Sequence, residues 1–173
     1  IPEDKQDHYL ELIKQQTDRI RTLVTQMTEA SSLSHPDPDM MEEFNINDMI
    51  NDIVDNLEAQ LTDKQIRVIK SLDPGPGIMV YGEAQQLCRV IINIITNAIK
   101  FTPQNGEIKI STETNPKLRK VIISVEDSGA GVEESKRQRI FESFYQADPS
   151  RKAEGFGLGL YICKQILAGH GQT

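Results

Sequence analysis

Three polar side chains interrupt an apolar stretch in the middle of the chain. Between Glu83 and Pro103, EAQQLCRVIINIITNAIKFTP, Asn93, Asn97 and Lys100 are spaced four and then three residues apart. On a helix that spacing stacks two amides and an ammonium along one edge. Asparagine is a poor residue inside a helix, because its side chain competes for backbone hydrogen bonds. Two readings fit the pair: a solvated shoulder beside a core, or the polar wall of a cleft in which an amide oxygen ligates a hard cation and an ammonium meets phosphate. Two further stretches bear on the choice. Asp127-Ser128-Gly129-Ala130-Gly131 ends an apolar run; its glycines allow a sharp turn or the close approach of a flat ligand, and its carboxylate can accept from an exocyclic amine. Gly155-Phe156-Gly157-Leu158-Gly159-Leu160 opens a helical pattern through Tyr161, Ile162, Ile166 and Leu167. Free N–H groups at a helix start, reinforced by the dipole, suit an anion. Alone, each stretch is weak: D-x-G-x-G is most often a turn, and the glycine run is no Walker loop, since no Gly-Lys-Ser/Thr follows, nor does a strand lead directly into it.

The elements that must position these residues are legible from periodicity. Leu87, Val90, Ile91, Ile94, Ile95, Ala98 and Phe101 follow the three-and-four spacing of a core helix around the two asparagines. Upstream, Glu43–Ile46 reads as extended, and Asn47 is placed to cap a helix with Met49, Ile50, Ile53, Val54, Leu57 and Leu61 inward. Strands are expected over Ile66–Leu72 and Ile78–Tyr81, divided by Pro74-Gly75-Pro76-Gly77, and over Glu107–Thr112 and Lys120–Glu126, divided by a turn at Asn115-Pro116. Interleaved helices and strands with tight turns predict an α/β (α+β) two-layer sandwich, helices packed on one face of a mixed, mostly antiparallel sheet. Before it, Leu10, Ile13, Ile20, Leu23, Val24 and Met27, with Thr17 between, suggest a long coiled-coil-like helix whose narrow seam suits another helix or its own domain. Ser31–Glu43, with Pro36 and Pro38, reads as a linker. Tyr145–Glu154 is polar, lacks an apolar period and reads as a loop that could move over a ligand.

Composition narrows the function. At 173 residues the chain holds one ordinary domain and an appendage. A net charge of -7 argues against a nucleic-acid binder with a broad basic face, while leaving a nucleotide open, since backbone N–H groups and a divalent ion can meet phosphates locally. Cys88 and Cys163 lie in apolar helical stretches and suggest neither a disulfide framework nor a zinc site. No run long enough to span a membrane and no signal-peptide pattern is present, and both ends read as cut.

Taken in order, N-x-x-x-N-A-x-K-F, a strand ending in D-x-G-x-G, I-F-E-x-F at Ile140–Phe144 and G-x-G-L-G-L resemble the N, G1, F and G2 boxes of sensor histidine kinases, whose ATP-binding domain belongs with those of gyrase and the mismatch-repair ATPases. The resemblance covers roughly residues 43–170. It implies a division into the second helix of a dimerisation and phosphotransfer hairpin (1–30), a linker (31–42) and an ATP-binding domain lacking its closing strands (43–173). It implies ATP and Mg²⁺ as ligands. Asn97 would ligate the metal, Asn93 and Lys100 would hold phosphates as the catalytic pair, and Asp127 would bind the adenine amino group. Gly129 and Gly131 would let the base approach; Gly155, Gly157 and Gly159 would form the hinge and phosphate contacts of a lid. Phe101, Val132, Leu158 and Leu160 complete the implied nucleotide contacts, and Phe141 and Phe144 would plug the core.

The departures from the pattern carry their own implications. Gln146 stands where the family often has a basic lid residue, so Arg151 or Lys152 would serve instead, and Phe156 replaces a small hydroxyl residue. The phosphoacceptor pattern, a histidine followed by an acidic residue, is missing: His8 precedes Tyr9, His35 lies in the linker, and His170 follows the last helix, where it reads as a helix C-terminal cation. The implied function is transfer of the ATP γ-phosphate to a histidine outside this fragment, with a hairpin helix and a response regulator as partners, a homodimer in the full-length protein, no nucleic acid, and a cytoplasmic location. A non-catalytic nucleotide-binding module is the alternative. A hydrolytic ATPase is disfavoured, because the hydrolytic relatives carry a general-base glutamate where this chain has Asn93.

Overall fold

The computed structural model of the protein describes residues 3–32, 35–74, 78–146 and 156–172. Helix α1 (Glu3–Ser32) leads to strand β1 (Met41–Asn45), helices α2 (Ile46–Asn56) and α3 (Glu58–Asp63), strands β2 (Arg67–Ser71) and β3 (Met79–Glu83), the central helix α4 (Ala84–Phe101), strands β4 (Glu107–Asn115) and β5 (Lys120–Asp127), and helix α5 (Gly159–Gly169). The expected mixed, mostly antiparallel arrangement is present, divided into two sheets. β1 pairs antiparallel with β3, Phe44 opposite Val80. The other sheet runs β2-β4-β5, parallel between β2 and β4 with Val68 opposite Ile108, antiparallel between β4 and β5 with Ile110 opposite Val125. A parallel pair needs a long crossover, and here β3 and α4 supply it. Residues 75–77 of the expected Pro-Gly turn lie outside the described residues.

Two details of the helices differ from expectation. Asn45, not Asn47, caps α2: its side-chain oxygen accepts from the Asn47 and Asp48 N–H groups at 2.9 and 3.4 Å. The first turn thus starts one residue before Asn47, whose own amide is drawn inward. It donates to the Asp73 carbonyl at 3.0 Å and accepts from Thr112 Oγ1 at 2.9 Å, tying α2 to β4. The helical run also breaks at Leu57, where ψ is 4°, yet the apolar period carries through and both halves face one core.

That core lies between α2, α3 and α4 and the β2-β4-β5 sheet, with Ile46, Ile50, Ile95, Ile108 and Ile110 at 2% exposure or less. A second cluster joins Val90 of α4 to Leu158, Ile162, Cys163 and Ile166 of α5. α4 therefore buries two flanks, and its asparagine edge adjoins the flank that meets α5. Leu23 of α1 packs against this second cluster, whereas Leu10, Ile13, Ile20, Val24 and Met27 are exposed. Among the described residues, no helix is long and apolar enough to cross a membrane.

His170 corrects another expectation. Its Nδ1 donates to the Ile166 carbonyl at 2.8 Å while Nε2 accepts from the Glu83 N–H at 3.2 Å, so the ring is a neutral bridge between α5 and the start of α4 rather than a terminal cation. The Glu83 carboxylate in turn accepts from the Asp37 N–H at 3.0 Å, fastening the linker to the same corner.

Candidate functional site

The asparagine edge of α4 meets the first residue of α5. A Cβ built on Gly159 would lie 3.4 Å from Asn93 Oδ1 and 3.9 Å from Asn97 Nδ2, so the glycine lets the N-terminus of α5 come up against both amides. Both asparagines are half-buried, as is Lys100 one turn further on. Leu158 at the N-cap gives the start of α5 no side-chain cap, and that end of the helix dipole lies beside the asparagine edge. Two amides and a helix N-terminus thus meet, where sequence spacing alone could place only the amides.

The loop after β5 closes the other end of the edge. Asp127 Oδ1 accepts from the Gly129 N–H at 2.8 Å, and a Cβ on Gly129 would stand 2.6 Å from that oxygen and 2.7 Å from the Phe101 carbonyl. Glycine is therefore required for the loop to reach the C-terminus of α4, and this contact sets the exposed Asp127 carboxylate beside the last turn that carries Lys100 and Phe101. Lys100 Nζ sits 5.1 Å from the centre of the Phe101 ring, which is itself half-exposed. Gly131 has φ +71°, a conformation costly for other residues, with open space where a side chain would be. Val132 beyond it is exposed.

The glycine box divides in two. Gly157, at φ +71°, lies too close to the Tyr145 carbonyl for any side chain, and its own carbonyl accepts from the Phe144 N–H at 3.1 Å. It therefore joins the start of α5 to the Ile140–Phe144 segment. Leu158 is 2% exposed within the α4/α5 cluster, so only its backbone can meet a ligand; Leu160 is half-buried. Arg151, Lys152 and Gly155 lie outside the described residues. The expected plug of Phe141 and Phe144 is not formed. Their rings are 39% and 54% exposed, the segment forms only a 3-10 turn over Arg139–Phe141, and Phe144 takes φ 63°, which turns it away from a helical path into the core.

Two positions escaped sequence reasoning. Lys64, at the end of α3, donates from Nζ to the carbonyls of Ile99, Lys100 and Thr102 at 2.8, 2.9 and 3.2 Å, capping α4 from another element. Only the fold brings residues that far apart in sequence together. Cys163 donates from Sγ to the Val90 carbonyl at 3.7 Å across the α4/α5 contact, where burial pushes its thiol up to about 11. Its apolar surroundings in sequence gave no sign of a polar neighbour.

The comparisons with known proteins bear on this geometry. The family described as histidine kinase-, DNA gyrase B-, and HSP90-like ATPase matches residues 82–173, which hold α4, the loop after β5 and α5. The solved catalytic domain of the histidine kinase ThkA is 32% identical, superposes with a TM-score of 0.65, and is aligned over 73% of this chain and 79% of that one. The chain belongs to the histidine kinase catalytic domains of this ATPase family. ThkA in complex with the response regulator TrrA superposes over 99% of the present chain and 46% of that one, with a TM-score of 0.75 at 26% identity. Among curated proteins, the adaptive-response sensory kinase SasA of Crocosphaera subtropica is 38% identical over 120 residues, 69% of this histidine kinase domain chain but 31% of the relative. The chain thus spans about a third of the length of such a relative.

Proposed function

We propose that the protein binds Mg-ATP along the α4 edge and transfers the γ-phosphate to a histidine on a hairpin helix outside this chain. The observation that carries the reading is the packing of Gly159 against Asn93 and Asn97, which sets a helix N-terminus beside two amides and, a turn on, Lys100. Lys100 and the first N–H groups of α5 would hold phosphate oxygens. Asp127 would accept from the adenine amino group, and the Gly129–Gly131 turn would let the ring lie against the backbone.

The residues present fit Mg²⁺ only as an ion shared with phosphate. Among the described residues, no group of three or more His, Cys, Asp or Glu could hold a metal, whereas Asn97 offers an amide oxygen beside the phosphate-binding edge. One protein ligand plus phosphate and water oxygens is a normal Mg²⁺ arrangement. When bound, the ion would neutralise charge on the triphosphate. Asn93 cannot act as a base, so water is not activated and ATP survives until a histidine nucleophile arrives.

In the same reading, residues 1–30 are the second helix of a dimerisation hairpin, 31–42 the linker and 43–173 the ATP-binding domain. The full-length protein would act as a cytoplasmic homodimer that passes phosphate to a response regulator. The linker contact of Asp37 with Glu83 supports the division, since it fixes where the linker enters the domain. The test is to titrate a fluorescent ATP analogue with and without Mg²⁺, and to follow phosphate transfer to a phosphoacceptor hairpin supplied separately. Mg²⁺-dependent binding that collapses in Asn97→Ala, together with transfer, is the expected result. Binding without transfer would leave a nucleotide-binding regulatory module.

A further inference from the structure

Helix α5 is keyed to α4 at both ends. At its start Gly159 packs against Asn93 and Asn97, and just past its end the His170 ring, held to the last turn through the Ile166 carbonyl, accepts from the Glu83 N–H at 3.2 Å. Between these points Ile162, Cys163 and Ile166 are buried in the α4/α5 cluster. The glycine before Glu83 permits the approach, since a Cβ on Gly82 would stand 3.2 Å from His170 Cδ2 and 2.6 Å from Leu87 Cδ1. A helix moves as a rigid element, so a shift at the His170 end is carried along the 11 residues of α5, about 16 Å, to the Gly159 end. Glu83 also faces the linker. Its Oε2 accepts from the Asp37 N–H at 3.0 Å and from Gln86 Nε2 at 2.6 Å. One residue therefore holds the linker with its side chain and α5 with its backbone.

We propose that Glu83 and His170 couple the linker to the phosphate end of the nucleotide site: with the linker engaged on Glu83, α5 is seated with Gly159 against the asparagine edge, and release of the linker frees α5 to shift along α4. This rests on the reading of that edge as the phosphate-binding edge. Coupling between two sites is reciprocal. Phosphates that hold the start of α5 must therefore tighten the linker contact by the same factor as the linker contact tightens phosphate binding.

The experiment reads the exchange rate of the Asp37 amide by NMR in the unmodified chain and in His170→Ala, each without ligand, with saturating Mg-ATP and with saturating adenosine. Coupling of this kind commonly amounts to 5-fold or more, so Mg-ATP should slow the exchange about fivefold in the unmodified chain. Adenosine brings no phosphate to the start of α5 and should leave the rate unchanged, as should Mg-ATP in His170→Ala. An unchanged rate in the unmodified chain with Mg-ATP bound, equal slowing by adenosine, or slowing that survives in His170→Ala each overturns the proposal. Should His170→Ala not fold, the linker side decides. Asp37 has φ -72°, which proline adopts, so Asp37→Pro removes the N–H at an allowed backbone angle, whereas Asp37→Ala loses the same carboxylate and keeps the N–H. Asp37→Pro should bind Mg-ATP about fivefold more weakly than Asp37→Ala, and equal affinities overturn the coupling. A chain that does not bind Mg-ATP overturns the phosphate site and the coupling together, whereas binding with unaltered Asp37 exchange overturns the coupling alone.

Discussion

At the scale of single residues, the site depends on side chains whose chemistry is narrow. Asp127 is expected to distinguish bases because an ionised carboxylate only accepts; Asp127→Asn adds a donor and should bring the affinities for ATP and GTP closer together, as competition titrations of the two nucleotides would read. Asn93→Glu tests the opposite property. The parent should release phosphate from saturating Mg-ATP negligibly, and a carboxylate one turn before Asn97 should raise that release modestly, since it supplies a base yet repels the triphosphate. Rapid Asn97-dependent release by the unmodified chain would instead bring hydrolysis forward as the activity. Cys163 makes a prediction about pH. Burial raises its thiol from 9.0 to about 11 in the folded protein, so the native state holds its proton where the unfolded chain has lost it. The stabilisation is full below pH 9 and fades as pH climbs toward 11, by roughly 3 kcal/mol in all. Urea unfolding across that range should show a shallower alkaline decline for Cys163→Val than for the parent.

At the scale of elements, α4 carries Asn93, Asn97 and Lys100, and Gly129 and Gly159 both come up against it. Its 18 residues bury Ile91, Ile95 and Ala98 against the sheet side and Val90 against α5, leaving the polar edge between the second flank and solvent. That much was legible from apolar spacing, because the period of a helix maps directly onto its faces. The strands were legible for the same reason, with the exception of their division into two sheets, which depends on pairings that no local pattern specifies. The sequence does not pick out the Asn45 cap because Asn45 and Asn47 are both plausible capping residues, and the choice is decided by Thr112 of β4 and Asp73 beyond β2, which recruit Asn47. The Phe141 and Phe144 plug does not form, because their three-residue spacing suits a helix whereas the segment makes a 3-10 turn over Arg139–Phe141. Lys64 illustrates what sequence cannot show at this scale. Its three bonds to the last carbonyls of α4 place a cation at the negative end of the helix dipole, next to Lys100 and Phe101. Lys64→Met keeps the stem and removes the ammonium; it should cost about 2 kcal/mol in chemical denaturation, the range for hydrogen bonds to a charged group. Because the frayed turn carries Lys100, nucleotide affinity should fall with it. Unchanged stability would mean that water replaces the ammonium at no cost.

At the scale of the whole molecule, α1 presents two different surfaces, which its apolar spacing reads as one seam. Leu10, Ile13, Thr17, Ile20, Val24 and Met27 alternate by three and four, the register of a helix pair, and the apolar members of that set are exposed. Leu23, which the apolar spacing groups with the seam, instead packs against the α4/α5 cluster. One flank of the helix is thus committed to the domain while the seam remains open to a partner. A helix of 30 residues is about 45 Å long, so an exposed seam along it is more apolar surface than a soluble monomer usually leaves bare. The expected behaviour is concentration-dependent self-association in sedimentation, abolished by Ile13→Asp with Ile20→Asp, while the thermal midpoint of the ATP-binding domain stays where it was. Leu23→Asp should do the reverse, lowering the domain's stability by about 1 kcal/mol or more through a charge set against an apolar cluster, and leaving association through the seam intact. A strictly monomeric chain in which Ile13 and Ile20 are protected from hydrogen exchange would show that the seam folds back on its own domain and would remove the pairing role of α1.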